Sequence, residues 1–247
     1  MVECVEIYGR KFEVVLLRKA GTTATATVYG NLIKIRIPSF LKEPESNRIF
    51  LELKQKIIMK LEKNPYALEA QEEPEFYNGQ SLSVLGKKLT IRIANTSRKS
   101  STASICGNEI LLSLSCCASE QERKRQVRRL CRRAISAAVH QELAERVKRL
   151  NSKTFNVELS KISVTYSRTR WGSCNTRQKR ISLNFLLLFA PDPILDYVVL
   201  HELAHLKEHN HSRAFWMLVS AAMPDYEQAK RWLSENGGRL ASHIRIS

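Results

Sequence analysis

The chain has 247 residues, enough to bury a full core as one or two domains, and its 40 Lys and Arg against 24 Asp and Glu give a formal net charge of +16. That excess points to an anionic partner, nucleic acid first and an acidic membrane surface second. The longest largely apolar run, Leu183 to Ala190, is too short to span a bilayer, and the start MVECVEIYGRK lacks a signal's apolar stretch, so the expectation is a cytoplasmic chain with its six cysteines reduced.

The first half contains an internal repeat. Aligned without gaps, Gly9 meets Gly86, Lys11 meets Lys88, Thr25-Ala26 meets Thr102-Ala103, and Gly30-Asn31 meets Gly107-Asn108. In each copy a strand of alternating apolar residues (Phe12, Val14, Leu16; Leu89, Ile91, Ile93) leads through a polar turn to a second strand. Gly-Asn then makes a tight hairpin into a third strand, Leu32 to Ile37 or Glu109 to Leu114. A helix follows in each, about Pro44 to Lys63 and about Ser119 to Leu150. Between the copies, Asn64 to Gln80 holds Pro65, Pro74, Asn78-Gly79 and four glutamates and reads as a linker. The expected division is 1–64 for the first repeat, 65–80 for the linker, 81–150 for the second repeat and 151–247 for a catalytic region.

Within the second helix, RKRQVRRLCRR from Arg123 to Arg133 keeps Val127, Leu130, Cys131, Ala134 and Ile135 as an apolar stripe. Arg125, Arg128, Arg129 and Arg132 then fall on the outward side as candidate nucleic-acid contacts. A solvated face is the ordinary alternative for such a stripe. No aromatic residue interleaves the cations, so single-strand stacking is not indicated.

Further on, Ile162 to Ser167 and Ile181 to Phe185 read as strands joined through WGSCNTRQK. They are expected to pack beside the next helix, one of them presenting an edge to an extended peptide. Asp192 followed by Pro193 is a helix start, with Asp192 as side-chain cap and Asp196 favoured by the dipole. From Ile194 to Leu206 the helix is apolar nearly all round and should be buried.

On that helix stands HELAHLKEHNH, His201 to His211. His201 and His205, four apart, project from one face and can share a zinc ion. Glu202, the next residue, is angled to miss the metal and to act as general base toward metal-activated water. If the helix ran on, His209 would stand about 12 Å along the axis from His201, too far for one ion. His211 reaches it if the helix stops first, with Asn210 in the left-handed conformation that ends helices, after which Ser212 caps a new helix. The spacing is similar to the HExxHxxxxxH of metzincin proteases, but Glu208 stands where they carry glycine, which counts against membership of that group.

Other residues have two readings. Arg170 is a candidate oxyanion or substrate contact, or an anchor of its loop by stacking on Trp171. Tyr226 is a second such contact, or core packing. Cys174 reads as a structural thiol, because three histidines and water fill a catalytic zinc shell. His140 and His243 have no partner pattern.

The segments RWGSC from Arg170, ISLNFLLLFAPDPILDYVVLHELAHL, Asn210-His211-Ser212 with Phe215-Trp216, and Met223-Pro224-Asp225-Tyr226 with Trp232-Leu233 resemble the YgjP-like metal-dependent hydrolases. That family lies within the zincins and is distantly similar to SprT-type and WLM-type proteases. The resemblance covers at least Val164 to Leu233 and implies zinc ligation by His201, His205 and His211 with a base at Glu202. It implies an α+β fold: a zincin-like catalytic region, its HExxH helix packed on a small mixed sheet, preceded by the two repeated strand-hairpin-helix units. The expected function is a zinc metallopeptidase acting on protein or peptide, with nucleic acid as a candidate partner and no membrane. The alternative is a nucleic-acid-associated module with structural Zn²⁺ and no hydrolytic activity.

Overall fold

Residues 2–7, 10–29, 32–63, 74–116, 119–167, 170–237, 240 and 244 are described in the computed structural model. Gly9, Gly30, Asn31, Cys117, His243 and positions 64–73 of the expected linker lie outside them. The chain divides into two units, Met1–Glu72 and Glu73–Ser247.

In the first unit, period-two apolar patterns form β1 (Val2–Ile7), β2 (Arg10–Lys19), β3 (Thr25–Tyr29) and β4 (Leu32–Pro38), followed by α1 (Glu43–Lys63). The sheet order is β1-β2-β4-β3, its central pair parallel and its outer pairs antiparallel. Phe12, Val14, Ile33, Ile35 and Ile37 are covered by Phe50 and Leu61 of α1, which completes this unit's core.

The second unit opens with β5 (Ser81–Val84), β6 (Lys87–Thr96), β7 (Thr102–Cys106) and β8 (Glu109–Ser115) in the order β5-β6-β8-β7. Pairings of the first sheet recur 77 positions later, Glu13 opposite Leu32 corresponding to Thr90 opposite Glu109. The β5–β6 hairpin turns through Leu85 and Gly86, both left-handed (φ 48° and 80°), as a turn matched to strand twist requires. Part of the segment expected as linker packs into this unit: Phe76 and Gln80 are buried, and Gln80 donates to the carbonyl of Ile244.

The single helix expected from Ser119 to Leu150 is two, α2 (Glu120–Ala138) and α3 (His140–Lys153). Ser119 caps α2 by accepting from Glu122 N–H, and the break falls at Val139 (φ −111°, ψ 11°). One straight helix of that length would run about 48 Å and carry its C-terminal apolar residues off the core. The break turns them back, and Val139, Leu143 and Val147 are completely buried.

The rest of this unit holds β9 (Lys161–Thr165), β10 (Gly172–Asn175) and β11 (Arg180–Asn184) in the order β10-β11-β9, mixed parallel and antiparallel. The WGSCNTRQK connection thus contributes a strand of its own, β10, at one sheet edge. After β11 comes the 3-10 turn Phe185–Phe189, then α4 (Asp192–Ala204), α5 (Arg213–Ala222) and α6 (Tyr226–Asn236). The architecture is mixed α+β, and no described helix is long and apolar enough to cross a membrane.

Candidate metal centre

The apolar sequence of α4 buries it: Leu195, Val199, Leu203 and Ala204 are fully inaccessible. Its start differs from expectation. Pro191 is the N-cap, Asp192 lies inside the first turn, and no side chain caps the helix. Arg146 of α3 has drawn Asp192 away, its Nη1 donating to Asp192 Oδ1 at 2.7 Å while its Nε donates to Asp196 Oδ1. Asp196 first, then Asp192, hold the Arg146 guanidinium pKa above its ordinary value. A charge-assisted bridge between two helices outcompetes a local cap.

The end of α4 also differs. The helix stops at Ala204 with His205 as C-cap, and Asn210 is not left-handed. Tightened bonds satisfy the final carbonyls: Leu206 N–H donates to Leu203, and Lys207 and Glu208 N–H both donate to Ala204. The chain then reverses until Ser212 Oγ accepts from Phe215 N–H at 3.2 Å and starts α5, as expected.

This reversal brings His211 back over α4. One ring nitrogen each from His201, His205 and His211 lie within 4.8 Å of one another, and the Nε2 atoms of His201 and His211 are 3.1 Å apart. Two nitrogens on a tetrahedral zinc stand about 3.3 Å apart at ordinary bond lengths, so the His201–His211 pair has the spacing of such an ion, with a His205 nitrogen within 4.8 Å of both. His205 Nδ1 lies 3.2 Å from the Glu208 carbonyl, which sets the tautomer that leaves Nε2 free as a ligand. Burial lowers His201 to about 4, with His205, His211 and Lys230 adding to the effect, so the ring is neutral and able to ligate. Its Nδ1 is buried without a partner, an orphaned polar atom that packing does not explain. Phe215 lies against all three rings, with centroids 4.9, 4.5 and 4.8 Å away. His209 is outside the cluster, its Nδ1 3.2 Å from the His205 carbonyl.

Glu202 is 5% exposed, and burial pushes its carboxyl up to about 7, against an opposing pull from Arg170. A Cβ on Gly172 would stand 2.4 Å from Glu202 Oε1, so β10 runs directly against the carboxylate. Glycine is needed here for close approach rather than for an unusual backbone angle. Cys174, two residues along β10, is outside the histidine cluster; burial and then Glu202 push its thiol up to about 11.

Asn184 holds the loop ahead of β10. Its Nδ2 donates to the carbonyls of Ser167 (2.6 Å) and Arg170 (2.7 Å), and its Oδ1 accepts from Leu186 N–H. Its own N–H donates to Trp171. Among the described residues Arg170 does not stack on Trp171, whose ring instead fills the space a Cβ at Gly237 would occupy. The loop is anchored by Asn184, leaving the Arg170 charge on the Glu202 side.

Tyr226 meets the site with its ring. It stacks on Trp216 (5.4 Å) and Tyr197 (6.4 Å), Trp216 stacks on His211 (5.7 Å), and the Tyr226 hydroxyl lies 3.5 Å from Glu227. Lys230 Nζ sits 4.6 Å above Trp216. Sequence reading missed Gly172, Asn184 and Lys230. An asparagine inside the run ISLNFLLLF, and a lysine one turn after Tyr226, were the available signals.

Of the four arginines expected to face outward, Arg128 pairs with Glu75 at 3.1 Å and Arg132 lies 4.7 Å over the Tyr166 ring. Arg125 and Arg129 are exposed. His140 is exposed, away from the cluster.

A family model described as YgjP-like, metallopeptidase domain, matches residues 22–236. The UTP pyrophosphatase of Escherichia coli (strain K12) is 44% identical over 50 residues, which is 19% of this chain. The chain spans 30% of the length of that curated relative. Among solved structures, the crystal structure of the metallopeptidase zymogen of Pyrococcus abyssi abylysin overlaps 43% of this chain and 90% of its own, with 24% identity and a TM-score of 0.30.

Proposed function

The chain belongs to the YgjP-like metallopeptidase family, and from that premise we propose that it is a zinc-dependent hydrolase that cleaves peptide bonds. The carrying observation is the convergence of His201, His205 and His211 beside a buried carboxylate, Glu202. A structural zinc is closed by four protein ligands and has no use for an unliganded acid at its side, which argues against the reading as a non-hydrolytic module. A divalent ion held by these imidazoles supplies a Lewis acid that polarises the scissile group and acidifies water.

The remaining work falls to the chain. Glu202, buried beside the three imidazoles, accepts a proton on its carboxylate from attacking water and returns it to the leaving group. Gly172 keeps that carboxylate in place by having no side chain. Phe215 excludes water from one side of the ligand rings. The peptide reading is supported by β10: it has β11 on one side and no strand on the other among the described residues, and it passes Glu202. An extended peptide can pair with such an edge through main-chain bonds without its sequence being read.

A second reading, hydrolysis of a nucleoside triphosphate phosphoanhydride, is favoured by the similarity to a UTP pyrophosphatase and by the cations flanking the cluster, Arg170 and Lys230. Both readings use the same base. The test is purified protein with measured zinc content, assayed on casein and on UTP, beside Glu202→Gln. Casein cleavage lost roughly 10²–10⁴-fold in the variant, with zinc retained, is the expected result. UTP turnover with no cleavage of casein selects the second reading, and full activity in the variant overturns the mechanism.

A further inference from the structure

One exposed line of α2 is left unused by the fold. Gln121, Arg125, Arg129, Arg133 and Ala137 follow one another at four-residue spacing, and all five are exposed. The other cations of the helix have partners: Arg123 donates to Asn95, Lys124 pairs with Glu120, Arg128 with Glu75, and Arg132 lies on Tyr166. Arg125, Arg129 and Arg133 have none among the described residues. The acidic neighbour at the start of the line, Glu122, accepts from Gln126. Like charges at this spacing oppose helix formation, so the ridge works against its own helix until an anion lies along it.

We propose that Arg125, Arg129 and Arg133 form a docking ridge for the phosphate backbone of nucleic acid. Three guanidiniums at four-residue steps span about 12 Å of helix axis. One strand of a duplex presents roughly three to four phosphates over that length. A helix that lies on an acidic membrane needs large apolar residues beside its cations, and this line offers only Gln121 and Ala137. It also offers no aromatic ring for base stacking, so binding is electrostatic and independent of base sequence. The inference does not depend on which bond the metal centre cleaves.

The test uses the full chain and a fluorescein-labelled duplex of about 20 base pairs, with anisotropy titrations at several salt concentrations. The triple variant Arg125→Ala, Arg129→Ala, Arg133→Ala is expected to weaken binding roughly tenfold or more and to flatten the slope of log K against log salt by about 2.7. A control triple with the same charge loss on exposed positions of the first unit, Lys42→Ala, Arg48→Ala, Lys56→Ala, is expected to leave the slope close to wild type. If the ridge triple lacks a normal melting transition, Arg129→Ala alone serves, with an expected flattening of about 0.9. No duplex binding by the wild type, an unchanged slope in the ridge variant, or equal losses in the two triples overturns the proposal. Ridge-dependent capture of phosphatidylserine vesicles without duplex binding overturns it in favour of a membrane surface.

Discussion

Helices α4 and α2 both carry strings of ionisable residues, and the tertiary structure treats them in opposite ways. α4 is buried over most of its length, and its polar groups are held by neighbours: Asp192 and Asp196 by Arg146 and, at its C-cap, His205 by the Glu208 carbonyl, while His201 and His211 bring their Nε2 atoms together. His201 Nδ1 is buried with no hydrogen-bond partner, and the Glu202 carboxyl is buried with the Arg170 charge acting on it, beside the place where three imidazoles converge. α2 buries one stripe and exposes the rest, so its charges are sorted by which neighbours reach them, and three arginines are reached by none of the described residues. On a buried helix an unmatched group is costly and marks chemistry; on an amphipathic one it costs little and marks, at most, a surface.

The largest expected contrast is metal content. His211→Ala should cut zinc stoichiometry sharply and abolish hydrolysis, while Arg129→Ala leaves both untouched; retained stoichiometry in the histidine variant would remove His211 from the donor set. Next, Gly172→Ala places a methyl where Glu202 Oε1 now lies. Displacing a catalytic group by about 1 Å costs on the order of 10²-fold in rate, so activity should fall by that much with zinc content preserved. Unimpaired turnover there would mean that β10 does not position the carboxylate.

A third test reads α4 without any reaction. The Glu202 pKa is raised from 4.5 to about 7, so the folded state favours the protonated acid. The stability this gives is complete below about pH 4.5 and is lost as pH rises through about 7. In EDTA, Glu202→Gln should therefore be more stable than wild type at pH 8, by on the order of 3 kcal/mol and with a correspondingly higher melting temperature, and should melt together with it near pH 4.5. Equal melting at both pH values would mean that the carboxyl is not held in a dry site. The smallest effect separates arginines within α2. Arg132→Ala should cost about 1 kcal/mol through its lost stack on Tyr166. Arg129→Ala should change stability by less than about 0.5 kcal/mol, and equal melting shifts would erase the division of the ridge.

Much of this was legible in the chain. The alternation of Phe12, Val14, Ile33 and Ile35 places them in one core because strand side chains repeat every two residues. The pairing of His201 with His205 followed from helical spacing, the return of His211 from the need for a helix stop, although the stop falls at Ala204 and not at Asn210, and Ser212 as a cap from its chemistry. What failed did so where a distant partner outbid a local signal. Asp192 is a good cap in isolation, but Arg146, 46 residues away, takes it. Asn210 is a good helix stop, yet α4 had already closed at Ala204 with its own tightened bonds. Ser119 to Leu150 has one continuous helical pattern, and only the position of the core explains the break at Val139.

The sequence by itself determined the donor types and their spacing, because helix geometry is local and fixes which side chains share a face. It determined the strand pattern because strand side chains alternate locally, and the excess of positive charge through composition alone. Only the tertiary structure decided that Gly172 makes room for Glu202, that Asn184 ties the loop ahead of β10, and that Lys230 stands on the Trp216 shelf. It alone decided which arginines of α2 have no partner among the described residues. Those relations join segments far apart in the chain, and close approach, desolvation and charge pairing act through space rather than along the backbone.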